Sequence, residues 1–136
     1  MGAFCSAVTM LKSGIEGEVR FKDFVESRSG QAVTVGTDLR NSTPPCVLIS
    51  YGNGEISGPM KTGGAVFRIR AVFPLFGDAL STALEAVDLL VEDIYFGVGR
   101  SVDGVRLSGP ILVRSIAEMV EQPGMWDVAI DVQFDF

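Results

Sequence analysis

The alternation that closes the chain constrains its fold more than any other stretch. Trp126, Val128, Ile130, Val132, Phe134 and Phe136 occupy every second position, and Asp127, Ala129, Asp131, Gln133 and Asp135 fill the gaps. A period of two puts the first set on one face of a pleated strand and the second on the other. Six apolar side chains, three of them aromatic, make this strand the expected anchor of a core. The chain stops at Phe136, so its end is expected to be tied down rather than frayed. A strand with one buried face needs neighbours and a cover.

Candidates for the neighbours lie upstream. Cys46-Val47-Leu48-Ile49-Ser50-Tyr51 is nearly continuously apolar, the pattern of a central strand. Over 65–73 the alternation returns, with Phe67, Ile69, Ala71 and Phe73 on one face and Val66, Arg68, Arg70 and Val72 on the other. The two runs are expected to pair as a hairpin. Between them, residues 52–64 hold five glycines, Pro59 and the turn pair Asn53-Gly54, and read as a long mobile loop. Ala32-Val33-Thr34-Val35, bounded by Gly30 and Gly36, suggests a short strand, and 111–120 another. A second glycine-rich connection covers 97–110, with a short strand near Val105-Arg106-Leu107. Pro123-Gly124 suits a type II turn leading into the final strand.

The cover is helical. Leu80, Ala83, Leu84, Val87, Leu90, Val91 and Ile94 recur at three-and-four spacing, behind a capping Asp78 and ahead of Gly97. At the other end, Phe4, Val8, Leu11, Ile15 and Val19 have helical spacing, but Gly14 and Gly17 each weaken a helix by roughly 1 kcal/mol. That segment reads as one broken helix or two short ones, the second over 17–28 and ended by Gly30; an N-terminal arm is the alternative. The order predicts a single α+β domain over 1–136, a mostly antiparallel sheet with helices packed on one face.

Composition narrows the function. A chain that is 47% hydrophobic and 21% charged is ordinary for a globular protein. A net charge of −6 argues against tight non-specific DNA binding, which needs a clustered basic surface. No run of about twenty apolar residues suggests a membrane span. The nominal myristoylation pattern of Gly2 and Ser6 is short enough to arise by chance. Cys5 and Cys46 are too few for a disulfide framework and read as reduced thiols.

The chain contains no histidine, which removes the usual general base, the Ser–His and Cys–His pairs and the commonest metal ligand. Gly52-Asn53-Gly54 and Gly97-Val98-Gly99 open like dinucleotide loops but lack the third glycine, with Ser57 and Val102 in its place. No catalytic residue, metal site or cofactor is expected. Asp127, Asp131 and Asp135 share a strand face at a spacing of about 13 Å from one to the next, too far apart to share a proton or metal. They read as a solvated face or as an acidic surface turned toward a partner or channel. Arg68 and Arg70 read as a wet strand face, and could pair with these aspartates if the strands are neighbours.

Three stretches carry a family resemblance. They are Pro45-Cys46-Val47-Leu48-Ile49-Ser50-Tyr51, then Val66-Phe67-Arg68-Ile69-Arg70-Ala71-Val72-Phe73, and finally Pro123-Gly124-Met125-Trp126-Asp127-Val128-Ala129-Ile130-Asp131-Val132, with the amphipathic helix from Asp78 between the last two. In this order the chain resembles the tail terminator (tail completion) proteins of long-tailed bacteriophages over roughly 30–136; residues 1–30 match less well. The resemblance implies a virion subunit that forms a homo-hexameric ring on the tail tube, ends its polymerisation and presents a surface to a head-completion or connector protein. DNA would pass through the centre without being held tightly, and the subunit would sit in the host cytoplasm before assembly. Asn53, Glu55, Met60, Lys61, Arg100, Asp103 and Arg106, in the two glycine-rich connections, become candidates for contact with tube and neighbours. Asp127, Asp131 and Asp135 become candidates for an acidic lumen wall. Another neck or tail subunit is an alternative, as is a soluble α+β ligand-binding module.

Overall fold

A computed structural model of the chain describes residues 2–37, 42–57, 62–75, 79–98 and 104–136. In chain order the elements are α1 (Ala3–Glu18), α2 (Arg20–Ser29), β1 (Thr34–Gly36), β2 (Cys46–Ser57), β3 (Thr62–Pro74), α3 (Ala79–Gly97), β4 (Arg106–Glu118) and β5 (Met125–Asp135). The strands form one sheet in the order β1-β2-β3-β5-β4. Among the described residues only β1 and β2 run parallel, and the other pairings are antiparallel. The fold is α+β, as the sequence predicts.

The last strand occupies the place its pattern demands. β5 is inserted between β3 and β4 and pairs along its length with both. Trp126, Val128, Ile130, Val132 and Phe134 are buried on the face that carries the helices, with Phe67, Ile69 and Phe73 of β3 beside them. The Phe136 backbone N–H donates to the Gly63 carbonyl at 3.0 Å. The turn ahead of β5 closes through the Met125 N–H on the Gln122 carbonyl (3.0 Å), with Gly124 at φ +86° as a type II turn requires.

Two expectations are corrected. Residues 52–64 are not one long loop, because β2 extends to Ser57 and β3 begins at Thr62. Gly52 and Gly54 serve close strand contact: a Cβ on Gly54 would lie 2.7 Å from the Gly64 carbonyl oxygen, and one on Gly52 2.8 Å from that of Val66. Similarly, the strand expected at 111–120 begins earlier, at Arg106, with register shifts between Ser108 and Leu112 and between Val113 and Ser115.

The N-terminal helix does break, but at neither glycine. α1 runs through Gly14 and Gly17, and the break comes at Val19, whose φ of 53° is left-handed. Gly14 is a contact point: its Cβ would stand 2.9 Å from the Gly97 carbonyl carbon of α3. A branched residue in the left-handed region costs about 1–2 kcal/mol. Asp93 of α3, fully buried, holds the bend by accepting the N–H groups of Phe21 (2.9 Å) and Arg20 (3.3 Å) at the start of α2. A side chain from another helix thus caps α2 where its own preceding residue, a valine, has no oxygen to offer. Gly30, at φ 71°, ends α2 as expected. The expected cap at Asp78 lies outside the described residues.

Candidate functional site

The face of the sheet away from the helices carries the chain's charge pattern. Register sets Arg68 of β3 directly opposite Asp131 of β5. Its Nε and Nη2 donate to the two carboxylate oxygens at 2.9 and 3.4 Å. From the other side Arg114 of β4 donates its Nε to Asp131 at 2.7 Å. One row away, Arg70 reaches diagonally to Asp127 and grips both oxygens at 3.0 and 2.8 Å. The planar guanidinium matches a carboxylate in this two-point manner.

Burial differs sharply between the partners. The Asp131 side chain is 8% exposed, whereas those of Arg68 and Arg114 are 53% and 55% exposed. The hydrogen bond from Arg68, assisted by Arg114, outweighs partial desolvation and holds the Asp131 carboxyl below its usual range. The pairing expected of Arg68 and Arg70 with these aspartates, should the strands be neighbours, is present. Asp127 and Asp131 are neutralised by three arginines, and among the described residues Asp135 has no ion pair. The apolar remainder of this face, Cys46, Leu48 and Val72 with Met119 and Met125, forms a small second cluster. Burial there pushes the Cys46 thiol pKa up, so it is a poor nucleophile at neutral pH.

The candidate contact residues divide. Met60, Lys61, Arg100 and Asp103 lie outside the described residues, as does the Glu55 side chain. The backbone nevertheless brings the two glycine-rich connections together. Glu55 pairs with Gly64, Gly64 with Asp135, and Asp135 with Arg106, one row across four strands. Asn53, one row inward, lines a shallow groove of about 480 Å³ with Val66 and Gln133. Asn53 and Arg106 are both exposed. Asn53, Glu55 and Arg106 therefore share one end of the sheet.

Sequence reasoning missed two residues. Arg114 had no signal, because the register shift at Val113 and Ser115 decides where it points. Asp93 had a weak one: a carboxylate between the apolar Leu90 and Ile94 on the buried side of a helix needs partners. Its pKa is raised by burial, against the opposing hydrogen bonds from Phe21 and Arg20.

The helix side offers two unlike apolar surfaces. Near the start of α1, Phe4, Cys5, Val8, Thr9, Tyr51 and Phe67 line an open recess of about 600 Å³. On the far side of the domain α3 exposes Leu80, Leu84 and Tyr95, and β4 exposes Val113, which pairs with the core residue Ile130. Among the described residues no group of three or more potential metal ligands lies together, and no helix is long and apolar enough to cross a membrane.

No family model and no curated protein matches the chain. Among solved structures, a chain of the "Virion of native gene transfer agent (GTA) particle" is similar at 19% identity and a TM-score of 0.48, over 93% of this chain and 95% of that chain.

Proposed function

We propose that this chain is a non-enzymatic structural subunit of a phage-like virion, one that caps the tail tube. In this reading six copies close into a ring that ends tube polymerisation and offers a joining surface to a head-completion protein. DNA passes through the centre. The observation that carries the reading is where the family-like stretches fall. They are β2, β3 and β5, three adjacent strands, with the amphipathic helix α3 on the covered face. Stretches far apart in sequence thus converge on one structural unit, the sheet that the resemblance requires.

The end of the sheet where Asn53, Glu55 and Arg106 meet is the proposed contact with the tube or head protein, together with Met60, Lys61, Arg100 and Asp103. The face of Asp127, Asp131 and Asp135 is the proposed lumen wall. Two of its aspartates are matched by arginines, so DNA would slide past a surface of balanced charge rather than a repelling one.

Electron microscopy of the purified protein, alone and mixed with tail tubes, tests the reading. Six-fold rings with a central hole, found free or on tube ends, are the expected result. A stable monomer that ignores tubes would sink it. The recess at Phe4 and Tyr51 favours a second reading, a module binding a small apolar ligand. Saturable binding of such a ligand without ring formation would establish that one instead.

A further inference from the structure

We propose that the α3–β4 side of one subunit seats on the α1–β2 side of the next copy, a head-to-tail contact made by side chains. This inference rests on the ring reading above and names the surfaces that build the ring.

The first surface follows from the geometry of α3. Gly97 meets Gly14 of α1, and Asp93 meets the start of α2, so these mark the inward side of the helix. Leu80, Leu84, Val91 and Tyr95 fall in one stripe, roughly 130° around the helix from Gly97 at 100° per residue. That stripe faces away from α1, toward the β4 edge. β4 continues it below: Val113 pairs with the buried Ile130, so it points to the helix side, yet it is exposed. Ile111 and Ile116 on the same strand are only half-buried. A helix and the sheet edge beneath it are thus left apolar and uncovered together.

The second surface lies at the opposite edge. β1 pairs only with Cys46 to Leu48 of β2, so among the described residues the remainder of β2 has no outer strand. Above this free half sits the recess of Phe4, Val8 and Tyr51, open and almost wholly apolar. Each side lacks what the other has: one is a ridge on a helix, the other a hollow beside one.

Charge decides which copy of which surface is the partner. Beside its stripe α3 exposes Glu85 and Asp88, with Glu92 further round within 3.9 Å of Arg20, and α3 itself carries no basic residue. Two α3 faces set together about a two-fold axis would oppose these carboxylates at short range. α1 continues the Phe4–Val8 row with Lys12, followed by Glu16, a balanced pair. The acidic ridge is therefore compatible with the α1 side and repelled by itself, which selects unlike surfaces. Unlike surfaces on one subunit propagate, and close when the rotation permits. Strand pairing is not the mode. β2 has a register shift between Tyr51 and Asn53, and β4 has two shifts and Pro110, all of which blunt an edge against continuation.

A complementation experiment tests the polarity directly. Leu84→Glu disables the ridge and Tyr51→Glu disables the hollow; both side chains are exposed, and circular dichroism would verify each fold. Leu80→Glu and Cys5→Glu form a second pair if either of the first is unstable. Each variant alone should lose self-association by at least tenfold in sedimentation velocity, while an equimolar mixture forms a dimer through the two intact surfaces. Self-dimers of single variants with no mixed dimer would overturn the proposal, as would a parent protein that stays monomeric at all concentrations or variants that assemble like the parent. Rings that fail to cap tubes would remove the capping function and leave this contact standing. Capping by rings built from single-surface variants would do the reverse.

Discussion

At the scale of single residues the most informative is Asp131. It is a carboxylate removed from water on a sheet face otherwise open to it, and it stays charged because two arginines converge on it from the strands either side. Its depressed pKa makes a signed prediction. A carboxylate whose folded pKa lies below its unfolded value of about 3.9 stabilises the fold above that value, and this contribution is lost as pH falls through the folded pKa. Asp131→Asn should therefore cost about 1–2 kcal/mol at neutral pH, the worth of a charged hydrogen bond reduced by solvent screening at two arginines that are more than half exposed. It should also flatten the loss of stability below about pH 4. Urea melts of both proteins across pH 2.5–7 check this; parallel stability profiles would show that Asp131 carries no such role. Asp93 works in the opposite sense. Its pKa is raised, so ionisation opposes folding there, and its place is secured by the two amide groups it caps.

At the scale of elements, the contact between α1 and α3 turns on two glycines that look like helix breakers in the sequence. A Cβ on Gly97 would lie 2.7 Å from the Gly14 carbonyl oxygen, a backbone atom that cannot swing aside. Gly97→Ala should cost about 1–3 kcal/mol by forcing the helices apart. At Gly17 a Cβ meets nothing within 4 Å, so Gly17→Ala should stabilise by up to about 1 kcal/mol through helix propensity alone. Thermal melts of the two variants should shift in opposite directions; equal shifts would place the contact elsewhere. The same pair explains what was legible. β5, the β2–β3 hairpin and α3 could be read because a period of two or of three and four reports directly which face is buried. Glycine misled twice, at 52–64 and at Gly14, because sequence does not distinguish a glycine that frees the backbone from one that admits a neighbour. The candidate site was read in part. Arg68 and Arg70 opposite the β5 aspartates followed from alternation, whereas Arg114 depended on a register shift that leaves no mark in the chain.

At the scale of the whole molecule, the charges are distributed unequally. The net charge is −6, yet on the open sheet face Asp127 and Asp131 are matched by three arginines, so much of the excess lies elsewhere, including Glu85 and Asp88 along α3. Subunits that associate must bring this like charge together, and the proposed contact gains its energy from apolar burial rather than from ion pairs across it. These two terms respond differently to salt. The Debye length falls from about 10 Å at 0.1 M to about 3 Å at 1 M, which screens repulsion between subunits and leaves apolar burial intact. Self-association should accordingly strengthen several-fold as sodium chloride rises over that range, measured by sedimentation equilibrium. A contact held by salt bridges across the interface would weaken over the same range, and that outcome would refute an apolar ridge-and-hollow joint.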